Sequence, residues 1–141
     1  MLIDSQLLFS DAQALTATAA STNLIDHGSD RNIGVGEPLV AVITVDVALA
    51  GTTPTFQVTV QTDDNAAFSS AASVAQSLQY SALAAGAKVV VPLPPDTSPE
   101  RFTRLNYTLG GTTPTITVTA SLMPMNMIQA EGVFAKNYPI Q

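Results

Sequence analysis

The chain has 141 residues, of which 46% are hydrophobic and only 11% charged, which suits one domain with a surface built from Thr, Ser, Gln, Asn and Ala. Eleven acidic side chains against five basic ones give a net charge of -6. With no Lys/Arg cluster to offset it, that balance argues against nucleic acid as a partner. There is no cysteine and one histidine, so a disulfide framework, a thiolate site and a zinc centre lack their ligands.

In chain order, residues 6–9 (QLLF) predict a first strand, and residues 14–20 (ALTATAA) alternate small and hydroxyl side chains. Residues 23–26 predict a brief strand before a surface loop at 27–38 (HGSDRNIGVGEP). Residues 39–49 (LVAVITVDVAL) are rich in Val and Ile and predict a central strand, with Asp46 facing solvent or a partner.

The stretch GTTPTFQVTV at 51–60 returns as GTTPTITVTA at 111–120. In each copy Gly supplies a turn, and Pro54 or Pro114 belongs at the first residue of a strand because proline cannot donate to a ladder. Beyond it Phe56, Val58 and Val60, and likewise Ile116, Val118 and Ala120, alternate with period two. Each copy follows another strand-like run, 39–49 or 102–109, so the pattern predicts two similar hairpins sixty residues apart. Two copies are too few for a solenoid, and one β-sandwich with related halves is the expected architecture.

Residues 61–65 (QTDDN) predict a turn. Residues 66–83 fit helix and strand alike, and a strand at 73–80 preceded by a helical turn is the expectation. A strand at 88–93 (KVVVPL) ends at Pro94 and Pro95, and Ser98, Pro99 and Glu100 suit one helical turn.

No basic segment leads into an apolar run at the N-terminus and no eighteen consecutive residues are apolar, so neither a signal peptide nor a membrane span is expected. Residues 1–123 form the expected sandwich and residues 124–141 an extended C-terminal arm. Met123, Met125, Met127, Ile128, Val133, Phe134, Tyr138 and Ile140 give this end an apolar character that marks a contact surface. The alternative is that the arm folds back to cover an edge of its own sandwich.

Candidate chemistry is sparse. Asp26 and Asp30 flank His27, but no nucleophile accompanies them in sequence, and a loop histidine is the simpler account. Asp63, Asp64 and Asn65 lack the spaced acids of a calcium loop. Gly34-Val35-Gly36 lacks the Lys-Ser/Thr of a phosphate cradle, and no Gly-x-Ser-x-Gly elbow occurs. Arg101 and Arg104 either pair with acids such as Glu100 or Asp96 or fork onto a partner's carboxylates. No enzymatic activity and no cofactor are expected.

Three blocks carry a family resemblance: residues 4–16 (DSQLLFSDAQALT), 21–26 (STNLID) and 31–39 (RNIGVGEPL). They resemble the capsid cement (decoration) proteins of tailed phages. Residues 91–95 (VPLPP), 101–107 (RFTRLNY) and the Gly110-Gly111 pair are similar to the same family's Pro-rich turn, Arg-aromatic-x-Arg-Leu-x-Tyr strand and glycine pair.

The resemblance implies an all-β, antiparallel β-sandwich of jelly-roll type, without catalysis. It implies a protein made in the host cytoplasm that sits on the outer face of the capsid, in the virion. There it binds the major capsid protein of HK97-like fold across subunit joints and associates with itself as a homodimer, a trimer being the alternative. A receptor- or glycan-binding jelly-roll module is the rival reading. A hydrolase built on Asp26, Asp30 and Glu37 is the weakest.

Overall fold

A computed structural model describes residues 3–32, 35–95 and 100–132, with the side chains of 129–132 left aside. A short 3-10 turn, Ser5–Leu7, precedes strands β1 (Leu8–Leu15), β2 (Ala19–Ala20), β3 (Ile25–Asp26), β4 (Leu39–Asp63), β5 (Ala72–Gln76), β6 (Lys88–Leu93) and β7 (Phe102–Pro124). Helix α1 follows at Met125–Gly132. Every strand pairing is antiparallel. The antiparallel all-β class expected from the sequence is the class found.

The two predicted hairpins do not form. β4 and β7 instead pair with each other along their whole length, from Leu39 opposite Pro124 to Asp63 opposite Phe102. The two GTTPT copies meet at the middle of this ribbon, where Thr52 lies opposite Thr112. Equivalent residues of the repeat thus face one another across a local pseudo-dyad. Pro54 and Pro114 lie inside continuous strands, not at strand starts, and the ladder is irregular there, between Val45 and Thr55. Such irregularities are where a sheet tolerates proline and bends sharply.

The bend turns one ribbon into two layers. Residues 39–45 of β4 and 116–124 of β7 are flanked by β1 and β6, and residues 55–63 and 102–110 by β2, β3 and β5. Alternate residues of both layers point into one core. Ile43, Val45, Val89, Val91, Ile116 and Val118 come from the first layer, and Phe56, Val58, Val60, Leu105 and Tyr107 from the second. Burying each of these large side chains contributes roughly 1.5–3 kcal/mol before ordering entropy is subtracted.

At the corner the backbone is unusual. Thr53 and Thr113 have φ of 47° and 48°, and Gly51 and Gly111 have 132° and 97°. A β-branched residue in the left-handed region costs on the order of 1–3 kcal/mol, which the surrounding core must offset.

Residues 40–43 are buried on both faces. Ala41 and Ile43 point into the core, whereas Val40 and Val42 join Met123 in a second cluster on the layer's outer face. Met125, Met127 and Ile128 of α1 cover that cluster. The stretch expected as an extended arm therefore begins as a helix laid over a sheet face; residues 133–141 lie outside the described residues. Between 73 and 80, strand β5 stops at Gln76 and a lone bridge pairs Tyr80 with Phe56. The helical turn expected at 98–100 falls mostly outside the described residues. The predicted strand at 6–9 starts two residues late, because Asp4 Oδ1 accepts from Gln6 N at 2.9 Å and winds Ser5–Leu7 into the 3-10 turn.

Candidate interaction site

Most ionic groups of the second layer collect at the end of the sandwich remote from the corner, where β3, the end of β4 and the start of β7 meet. Asp26 and Phe102 are register partners, which brings Arg101 beside Asp26. The guanidinium forks onto the carboxylate, Nε donating to Oδ1 and Nη2 to Oδ2, both at 2.8 Å. Gly28 N donates to Oδ1 as well, at 2.8 Å. Arg101 therefore has an acid of its own, though Asp26, not Glu100, and Asp96 lies outside the described residues. Its plane also lies 4.9 Å from the Phe102 ring centroid.

This pair has a pH signature. The Arg101 hydrogen bonds, then the Gly28 amide, hold the Asp26 carboxyl down, from 3.8 to about 2. A depressed carboxyl stabilises the fold above its unfolded value, and the benefit disappears as pH falls through the folded value. Asp26→Asn should lower the melting temperature slightly at pH 7, the pair being exposed, and should melt like the parent below about pH 2. Thermal melts at a series of pH values check this; a difference that persists in strong acid would rule the pair out as its source.

Arg104 is engaged differently. Its Nε donates to Gln61 Oε1 at 2.9 Å, and its guanidinium lies 4.2 Å from the centroid of the Phe68 ring. His27 is half-buried, with Nε2 2.9 Å from Thr103 Oγ1. Burial pushes its pKa down and Arg31 adds to that, while Asp26 opposes it. A neutral imidazole bonded to a threonine hydroxyl holds the loop onto β7.

The Asp63 carboxylate accepts from Asn65 N at 2.9 Å and Ser70 N at 2.8 Å, which lower its pKa. These backbone bonds make it a turn anchor. Asp64 is raised, first by Asp30 and then by burial, Glu100 and Asp63. Among the described residues no group of three acids or histidines is disposed to hold a metal ion.

The predicted interface residues divide three ways. Met123 is 2% exposed and sealed into the outer-face cluster. Met125, Met127 and Ile128 are partly buried against that cluster, so the described part of the arm folds back, over a sheet face and not over an edge. Val133, Phe134, Tyr138 and Ile140 lie outside the described residues.

Sequence reading missed a scatter of exposed aliphatic side chains. Leu78 is 77% exposed and Val47 58%, with Val90 exposed to a lesser degree. Val90 could have been found, because it is the outward member of the alternating run at 88–93. Val47 could not, because the bulge that turns it outward leaves no mark in the residue pattern.

The described residues form an all-β sandwich made from one folded ribbon, with the Arg101–Asp26 ion pair at the end remote from the corner. The particular family follows from comparison: a family model, Bbp16, matches residues 9–122, and the chain belongs to that phage-related family. No curated protein matches the chain. No helix among the described residues is long and apolar enough to cross a membrane.

Proposed function

We propose that the chain is a virion structural protein of a tailed phage, a capsid cement (decoration) protein. In this reading it binds the outer surface of the head and adds buried interface across joints between major capsid subunits of HK97-like fold, as a homodimer. The observation that carries the reading is the surface. Only 11% of residues are charged, and exposed aliphatics such as Leu78, Val47 and Val90 stand among Thr, Gln and Ser. Interface cores are depleted in charge, because desolvating an ion costs far more than desolvating an amide or a hydroxyl. The phage-related family and the resemblance in residues 4–39 and 91–111 agree with it.

The net charge of -6 suits a position outside a DNA-filled shell. Many modest interfaces acting together resist outward pressure through avidity. Phage heads assembled without this protein should lose their DNA at lower temperature than complete heads, and adding the purified chain should restore the difference. Equal heat stability of the two kinds of head would refute the cementing role.

A further inference from the structure

One side of the sandwich carries no charge. Residues 65–87 contain no acidic or basic side chain. They run along the margin of β4 that faces away from β7: β5 pairs with residues 59–62, and further on Leu83 O and Ala87 O accept from Leu49 N and Val45 N. The adjoining outer face of the second layer, with Gln57, Thr59, Asn106 and Thr108, is uncharged too. Arg104, stacked on Phe68, marks the border with the ionic end.

A sheet edge invites pairing with another chain unless something guards it. Asn23 covers β1, donating from its backbone N to Phe9 O at 2.9 Å and from Nδ2 to Leu8 O at 3.3 Å. β6 contains Lys88 and Pro92, and β2 and β3 are two residues long. β5 ends the strand order beside β4 and has neither charge nor proline. A register shift opposite Val60 and Gln61 bends its start, and Ala75 and Gln76 beyond it pair regularly.

Leu78 stands just past β5 and is 77% exposed. A lone exposed leucine is ordinary, but this one is held still. Ser77 before it donates its N to Val58 O at 2.8 Å and its Oγ to the Leu78 carbonyl at 2.7 Å. Gln57 Nε2 donates to Ser77 O at 3.0 Å. Tyr80, two residues on, donates to Phe56 O at 2.8 Å and accepts from Phe56 N at 2.9 Å. A backbone fixed on both sides has little freedom left to lose on binding, which favours Leu78 as a contact anchor.

We propose that this side is where two copies of the chain meet, with Leu78 of each buried in the contact. Two molecules of net charge -6 repel, and they approach at least cost through surfaces free of acids. A basic foreign partner would instead be drawn to the ionic end, where Asp30 and Glu100 crowd Asp64. A two-fold contact sets one patch against itself. Ala, Ser and Gln suit that, being small or able both to donate and to accept. Interface centres are likewise depleted in Lys, Glu and Asp. The assignment rests on the homodimer of the cementing reading and adds the surface that forms it.

Light scattering of the full chain should give a dimer. Leu78→Asp and Gln76→Lys each replace an exposed side chain. Both should raise the dissociation constant at least about tenfold, with unchanged circular dichroism. Val47→Asp puts the same charge on another exposed aliphatic position and should leave the constant as in the parent. A dimer unmoved by both edge variants, or a parent that is monomeric even in concentrated solution, would overturn the proposal. So would a Leu78→Asp chain that stays dimeric but no longer restores the heat stability of heads, which would assign the surface to the capsid. Cementing is judged apart: a monomeric parent that still protected heads would sink the contact alone. A dimer broken by Leu78→Asp, on a parent that gave heads no protection, would sink cementing alone.

Discussion

Gly111→Ala is expected to destabilise the fold by about 4 kcal/mol or more, at the upper end of what a single substitution does. Two costs coincide there. The backbone has φ of 97°, where an L side chain is strained. A Cβ at this position would also lie 2.5 Å from Thr53 O, 2.8 Å from Thr52 O and 2.9 Å from the Pro54 Cα. All three are backbone atoms of the facing strand, so no side chain can swing away. Relief requires the two strands to separate at the place where the ribbon bends.

The pseudo-dyad predicts a matching effect at Gly51, whose added Cβ would meet Thr113 O at 2.9 Å and Thr112 O at 3.0 Å. Gly86 is the control. It has φ of 87° but nothing within 4 Å, so Gly86→Ala should show strain alone, about 1–2 kcal/mol. Urea denaturation with unchanged m-values would rank the three as Gly111, Gly51, Gly86. If Gly111→Ala were no worse than Gly86→Ala, the close approach at the corner would be wrong.

Phe56→Ala should cost about 3–5 kcal/mol, the usual range for deleting a buried aromatic ring. Phe56 is fully buried and stacks on Tyr107, with ring centroids 6.0 Å apart and planes 17° from parallel. The pair sits where the second layer faces the first. Tyr107 also reaches across: its hydroxyl is 2.7 Å from Ser10 Oγ on β1. Ser10 Oγ donates to Gln13 Oε1 at 2.7 Å, which leaves Tyr107 as the donor to Ser10. Gln13 Nε2 in turn donates to Ala20 O at 2.9 Å.

Tyr107→Phe removes one neutral bond from this relay and keeps the ring, so it should cost only about 0.5–1.5 kcal/mol. Burial raises the pKa of the Tyr107 hydroxyl, so it stays a neutral donor and that cost should not change across ordinary pH. Chemical denaturation of both variants at pH 6 and pH 9 checks the ranking. A loss for Tyr107→Phe as large as that for Phe56→Ala would mean the relay, not the stacked rings, dominates there.

How far the sequence revealed this structure depends on the range of the interaction. Period-two alternation placed Phe56, Val58, Val60, Ile116, Val118 and Ala120 in the core correctly, because which face a side chain takes depends only on its strand neighbours. The strand at 88–93 was legible for the same reason, with Pro94 and Pro95 to end it. The pairing of the two repeats was not. A Gly-Thr-Thr-Pro segment can reverse a chain into a hairpin or bend a strand that continues, and local residues do not decide between them. The contacts of Gly51 with Thr112 and Thr113, sixty residues away, do decide it.

The same limit applies to Arg101, whose partner Asp26 is 75 positions away and was weighed in sequence as a neighbour of His27. At the C-terminal end, Met123, Met125 and Met127 alternate as an extended strand would, yet only Met123 belongs to β7. Pro124 marks the junction. Methionine fits helix or strand, so residue type carried no signal for the change.

β4 and β7 each pass through both layers, so the layers are joined by two unbroken peptide backbones as well as by packing. Prising them apart would load covalent bonds at the corner, whereas a sandwich joined only by surface loops would simply peel. Mechanically the molecule is a clasp bent from a single double-stranded strip.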